Sequence, residues 1–157
     1  MAPRVLLLAV DNSDSSDDVL EWVVSNLWKE GDEVHLLHII PVPMPEVIGG
    51  LGAMDSIVTV EPDPQLDVKH IAEAKEFMKR RFVTKLASRN IAYKVEIVHF
   101  LTDNDSIGEA ICKRAEALNA AAVVMAKHQR GAIAEFFLGS VTKYATHHCK
   151  QPLIVLH

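Results

Sequence analysis

Apolar runs of strand length alternate along the chain with stretches whose apolar residues recur at helical spacing. Residues 4–10 (RVLLLAV) form a continuous apolar run, the pattern of a strand buried on both faces. It ends at Asp11-Asn12-Ser13, a cluster of turn and capping residues. Val19, Leu20, Val23, Val24 and Leu27 then share one stripe, which predicts a helix over 16–29 stopped by Glu30-Gly31-Asp32. Residues 34–40 predict a second apolar strand, closed by Pro41. Stretch 66–89 predicts a long amphipathic helix through Ile71, Ala74, Phe77, Met78, Phe82 and Leu86. Residues 92–100 set Tyr93, Val95 and Ile97 against Lys94 and Glu96, a strand with one wetter face that suits a sheet edge. Ser106 and Glu109 fit a capping box for the next helix, which buries Ile111, Ala115 and Leu118. Residues 121–126 predict a fourth strand, 140–148 a last helix and 152–156 a final short strand.

Strict alternation of strand and helix implies α/β architecture, a parallel sheet with helices on both faces. The three most apolar strands belong in the centre and the wetter third at an edge. A five-stranded parallel sheet of order 3-2-1-4-5, a Rossmann-like three-layer sandwich, satisfies this. Its topological switch lies between strands one and four, where ligands of such sheets bind at the carboxyl ends of the strands. Two loops meet that location: Val10-Asp11-Asn12, and the polar basic segment that starts at Ala126-Lys127-His128-Gln129. The latter leads to Leu138-Gly139-Ser140 and a helix N-terminus, whose free N–H groups and partial positive charge suit an anion. Gly139 permits close backbone approach, and Ser140 is a predicted cap that can donate to an oxygen.

The longest irregular stretch, 41–65, carries five prolines and three glycines yet is too apolar for a plain linker. It is expected to lie over the domain as a flap or dimer surface. A length of 157 residues predicts one domain over 1–157. Net charge −5 argues against a general nucleic-acid binder, and Lys79-Arg80-Arg81 is read as a solvated face. No apolar run is long enough for a bilayer span, and the six-residue apolar run near the N-terminus is too short for a secretory signal. Two distant cysteines, Cys112 and Cys149, imply no disulfide framework, and Cys112 is expected as a buried inert thiol. A cytoplasmic protein without membrane contact is the resulting expectation.

Several chemistries lack their residues. There is no Gly-x-x-x-x-Gly-Lys-Ser/Thr loop and no Gly-x-Gly-x-x-Gly after the first strand. A phospho-receiver would need an acidic pair after strand one, and Asp11 stands without it. His147, His148 and Cys149 are adjacent on a helix and point about 100° apart, so they are not read as a metal site. Trp22 and Trp28 are expected to pack in the core, Trp28 with partial exposure.

The chain resembles the universal stress protein family over essentially its whole length. Val10-Asp11-x-Ser13 matches the family's first strand end, and His38-Ile39-Ile40-Pro41 its second. The most specific match is Val124-Met125-Ala126-Lys127-His128-Gln129, nine residues, Gly139-Ser140-Val141-Thr142, then Pro152-Leu153-Ile154-Val155. The resemblance implies an adenine nucleotide α-hydrolase-like fold that dimerises and, in one branch, binds ATP or AMP, with Mg²⁺ accompanying the nucleotide. Carried over, Val10, Asp11, Asn12 and Ile40 flank base and ribose. Met125 and Ala126 lie under ribose and phosphates, and Gly139, Ser140, Val141 and Thr142 bind phosphates. Ala126 and Gln129 replace the motif's first two glycines. Gln129 puts a side chain where backbone approached phosphate, while Lys127, His128 and Arg130 add positive charge and Gln129 brings donors of its own. Two readings follow. One is a non-catalytic nucleotide-binding dimer in stress response, with AMP or ADP favoured over a fully ordered triphosphate. The other is a nucleotide-independent dimeric interaction protein with a vestigial phosphate site. Slow ATP hydrolysis or autophosphorylation at Ser140 or Thr142 is a weaker third. In each case the terminal strand Leu153-Ile154-Val155-Leu156, an apolar edge, is the expected homodimer contact.

Overall fold

In the computed structural model, residues 2–42, 64–101, 104–127 and 139–157 are described. The strands are β1 (Val5–Ala9), β2 (Glu33–Val42), β3 (Ala92–Leu101), β4 (Ala122–Ala126) and β5 (Leu153–Leu156). They form one parallel sheet in the order β3-β2-β1-β4-β5, as the apolar pattern predicts. The helices are α1 (Asp14–Asn26), α2 (Pro64–Met78), α3 (Thr84–Ser88), α4 (Asn104–Ala117) and α5 (Ser140–His148). A single π turn, Lys79–Val83, joins α2 to α3.

Alternate strand residues point to opposite faces and build two cores. Leu6, Leu8, Leu36 and Val124 pack with Val19, Leu20 and Val23 of α1 and with Phe77, Phe82 and Leu86 of the α2–α3 rod. Leu7, Leu37, Val123 and Met125 pack with Ile107, Ile111 and Ala115 of α4 and with Val141 and Ala145 of α5. The result is the expected three-layer sandwich. α4 and α5 approach closely at Gly108, where an added Cβ would lie 2.9 Å from Tyr144 Cβ.

Several local expectations are corrected. Ser13 caps α1, accepting from the Ser16 N–H, so that helix starts two residues earlier than predicted and ends at Asn26. β2 runs through Pro41 to Val42, since an edge-side pairing to β3 needs no N–H from every residue. α4 begins at Asn104, so Ser106 is inside the helix and not its cap. Tyr93 and Val95 are exposed on β3, the edge strand of the sheet. Trp22 and Trp28, as expected, pack against the first core, Trp28 with partial exposure. The expected flap at 41–65 lies, from 43 to 63, outside the described residues.

The largest correction concerns the cysteines. Cys112 on the buried face of α4 is disulfide-bonded to Cys149, the residue that closes α5, across 37 residues of sequence. α4 and α5 lie side by side on one sheet face, and topology brings together what the sequence holds apart. The pairing removes cysteine usage as a ground for a reducing compartment. Among the described residues no helix is long and apolar enough to cross a membrane.

Candidate functional site

β1 hydrogen-bonds to β2 on one side and to β4 on the other, which makes the β1/β4 boundary the topological switch. The chain leaves β1 at Val10 and Asp11, both buried. The Val10 N–H donates to Leu37 O at 2.9 Å and so extends the ladder beyond the strand. Asp11 sits where the chain turns into α1. Its Oδ1 accepts from the Ser16 hydroxyl at 2.9 Å and from the Ser13 hydroxyl, and its N–H donates to Ser16 Oγ at 2.9 Å. The cap of α1 therefore also holds the carboxylate. Among the described residues, Oδ2 receives no hydrogen bond. A 5%-exposed carboxylate with one oxygen fully engaged and the other uncommitted is a preorganised acceptor.

His38, which periodicity did not single out, locks this corner. Its buried ring donates from Nδ1 to Val10 O at 2.9 Å and meets Phe77 of α2 edge-on, with centroids 4.8 Å apart. Burial pushes its pKa down, against the opposing pull of the Val10 carbonyl and Asp11. The neutral ring thus fixes the β1 end through its main chain. The signal in the sequence was a histidine set within the apolar run Leu36-Leu37-His38-Ile39-Ile40.

The other predicted residues divide between the two cores. Val10, Ile40 and Ala126 belong to the first and Met125 and Val141 to the second, so β1, β2, β4 and the start of α5 are tied together from both faces. The non-glycine described residues with positive φ are Asn90 and Asn119; Ala126, the residue in the first glycine position, therefore has no left-handed backbone to strain it. Lys127 is half-buried and its N–H donates to Leu156 O at 2.8 Å. His128 and Gln129 lie outside the described residues. Gly139 (φ 75°) is itself the N-cap of α5, with no side-chain capping bond; Ser140 is the first helical residue, which corrects its predicted role. The first turn bond runs from the Lys143 N–H to Gly139 O at 2.8 Å. Among the described residues, the preceding N–H groups of Ser140, Val141 and Thr142 have no acceptor and are the helix's free donors. Asn12 is exposed and bonded by Arg81. His147 and His148 turn back on their own helix, donating from Nδ1 to Lys143 O and Tyr144 O at 2.8 and 2.9 Å.

A cavity of about 230 Å³ lies between β2, β3 and α4, but none of the predicted site residues lines it. Beside it, burial pushes the Glu96 carboxyl up, and hydrogen bonds from His35 and Arg114 outweigh that and hold it below its usual range.

The sheet order defines a doubly wound α/β protein, with the adenine nucleotide α-hydrolase-like fold that its solved structural neighbours share. Within that class the chain belongs to the universal stress protein family, whose family model matches residues 3–157. It is 29% identical over 163 residues to universal stress protein PHOS32 and 30% identical over 165 residues to universal stress protein PHOS34, both of Arabidopsis thaliana. Each match covers 99% of this chain, which spans 65% and 62% of those two proteins' lengths. A universal stress protein of Archaeoglobus fulgidus, solved in complex with dAMP, shares the fold with a TM-score of 0.64 and 20% identity over the full length of both chains.

Proposed function

We propose that this chain is a non-catalytic adenine-nucleotide-binding module of the stress response, working as a symmetric dimer. The observation that carries the reading is the uncommitted Oδ2 of buried Asp11 at the switch point. Val10, Asp11, Asn12 and Ile40 would hold base and ribose, with Met125 and Ala126 beneath. The free N–H groups at 140–142, the Ser140 and Thr142 hydroxyls, and Lys127 with His128 and Gln129 would take the phosphates. Gln129, a side chain where the motif has glycine, favours AMP or ADP over a fully ordered triphosphate with Mg²⁺. The dAMP complex of the archaeal protein supports the choice of ligand class.

Calorimetric titration with ATP, ADP and AMP, with and without Mg²⁺, tests this. AMP should bind with micromolar affinity, and Asp11→Ala and Ser140→Ala should each weaken it at least about tenfold, as loss of a charged and a neutral hydrogen bond implies. Absence of heat with every nucleotide, from ligand-free protein, would establish the nucleotide-independent interaction protein instead.

The dimer would form through β5. All four of its residues are half-buried, and one long side of the strand is unpaired in the sheet. Val155→Lys should give monomers in light scattering where the parent chain gives dimers; an unchanged dimer would move the interface elsewhere.

A further inference from the structure

The basic run at 79–81 is not a uniformly solvated face. Lys79 and Arg80 are exposed, but the Arg81 side chain is only 22% exposed and reaches the β1–α1 corner. Its Nε donates to Asn12 Oδ1 at 2.7 Å, and its Nη1 donates to Asp17 Oδ2 at 2.6 Å and Asp14 Oδ1 at 3.2 Å. Below it, Lys85 approaches Asp17 and Glu21 at 3.7 and 3.8 Å, and Arg89 binds Glu21 at 2.9 Å. Basic residues four apart on the α2–α3 rod thus face acidic residues of α1. The lower rungs are exposed salt bridges, which contribute little individually. The top rung differs, because it touches a residue of the proposed nucleotide site.

The π turn supplies that contact. Such turns widen a helix locally and are frequent at functional sites. Here the turn buries Phe82 completely while leaving its neighbour Arg81 facing α1. A planar guanidinium bonds Asn12 through Nε and Asp17 through Nη1 from two nitrogens held in a fixed fork, whereas an ammonium would have to make both bonds from a single freely rotating nitrogen. Because Arg81 binds the amide oxygen of Asn12, the amide nitrogen is the end turned away from it. Among the described residues that Nδ2 has no acceptor.

We infer that Arg81 is a positioning residue of the nucleotide site: it clamps Asn12 so that the amide nitrogen is presented to the ligand, and it pins the corner that carries Asp11. The inference rests on the nucleotide-binding reading, yet the state of the corner can be read without any nucleotide.

Arg81→Lys keeps the charge and removes the fork. It should weaken AMP binding about 3- to 10-fold, the cost of ordering one or two side chains on binding. It should also speed hydrogen exchange of the amides at 11–16 in the free protein. Lys85→Met and Arg89→Met, which break the lower rungs only, should lower the urea midpoint slightly and leave both readouts at parent values. Asn12→Asp keeps an acceptor for Arg81 and removes the donor, so it should weaken AMP without speeding exchange at 11–16. The inference is overturned if Arg81→Lys leaves exchange at 11–16 unchanged, or if the lower-rung variants weaken AMP as much as Arg81→Lys does. If the parent chain binds no nucleotide, the nucleotide reading fails. The exchange comparison then decides alone whether Arg81 pins the corner.

Discussion

Reduction of the Cys112–Cys149 bridge should cost about 3–4 kcal/mol of stability and lower the thermal midpoint by roughly 10 °C. The magnitude follows from the 37-residue separation, because opening that loop returns closure entropy to the unfolded chain. The bridge also ties together two helices that already pack against each other on one face of the sheet. Cys112 belongs to the buried face of α4, and Cys149 ends α5 just before the turn into β5. Opening it frees the end of α5 and, through it, the strand proposed to form the dimer edge. The comparison is urea or thermal unfolding in oxidised and reduced protein, alongside the Cys112→Ala, Cys149→Ala double variant. The double variant should unfold where the reduced protein does and be indifferent to reductant. Equal midpoints for the oxidised and reduced parent, or two free thiols by mass spectrometry in oxidised protein, would refute the bridge's contribution.

The bridge shows where sequence reasoning ends. Run 4–10 is apolar at nearly every position because β1 lies at the centre with helices on both sides, and the alternation at 92–100 marks an edge. Those patterns are local, so sheet order and switch point were legible. A disulfide is a statement about two distant helices packing on one face, and Cys112 fits an apolar stripe equally well as an inert thiol. Asp11 was legible as the polar stop of an apolar strand; that Ser13 and Ser16 both engage its Oδ1 required the cap geometry. Arg81 was misread because a charge run looks solvated when its partners lie 64 to 69 residues away. The usable signal was pairwise: Arg81, Lys85 and Arg89 step by four, and Asp17 and Glu21 of α1 step by four opposite them.

The π turn was also invisible, although its consequence was in view. Met78, Phe82 and Leu86 follow in steps of four, and in a straight α-helix each such step carries the side chain about 40° past the last. Two steps would swing Leu86 well off the stripe. One wider turn at Lys79–Val83 absorbs the drift and keeps all three fully buried. Phe82 is the largest fully buried side chain among the described residues and sits inside that turn. Phe82→Ala should therefore cost about 3–5 kcal/mol, the range for emptying a buried phenylalanine site. Phe82→Leu, which keeps most of the volume, should cost less than about 1.5 kcal/mol. The effect should reach the site as well. With its anchor gone, the turn can relax to regular helix, the neighbouring guanidinium swings from Asn12, and amides at 11–16 exchange faster at temperatures where the variant is still folded. Urea unfolding with exchange mass spectrometry on both variants measures the two effects together. A Phe82→Ala chain within about 1 kcal/mol of the parent, or one whose corner exchanges at the parent rate, would mean that the turn is held by backbone alone and that Arg81 does not depend on it.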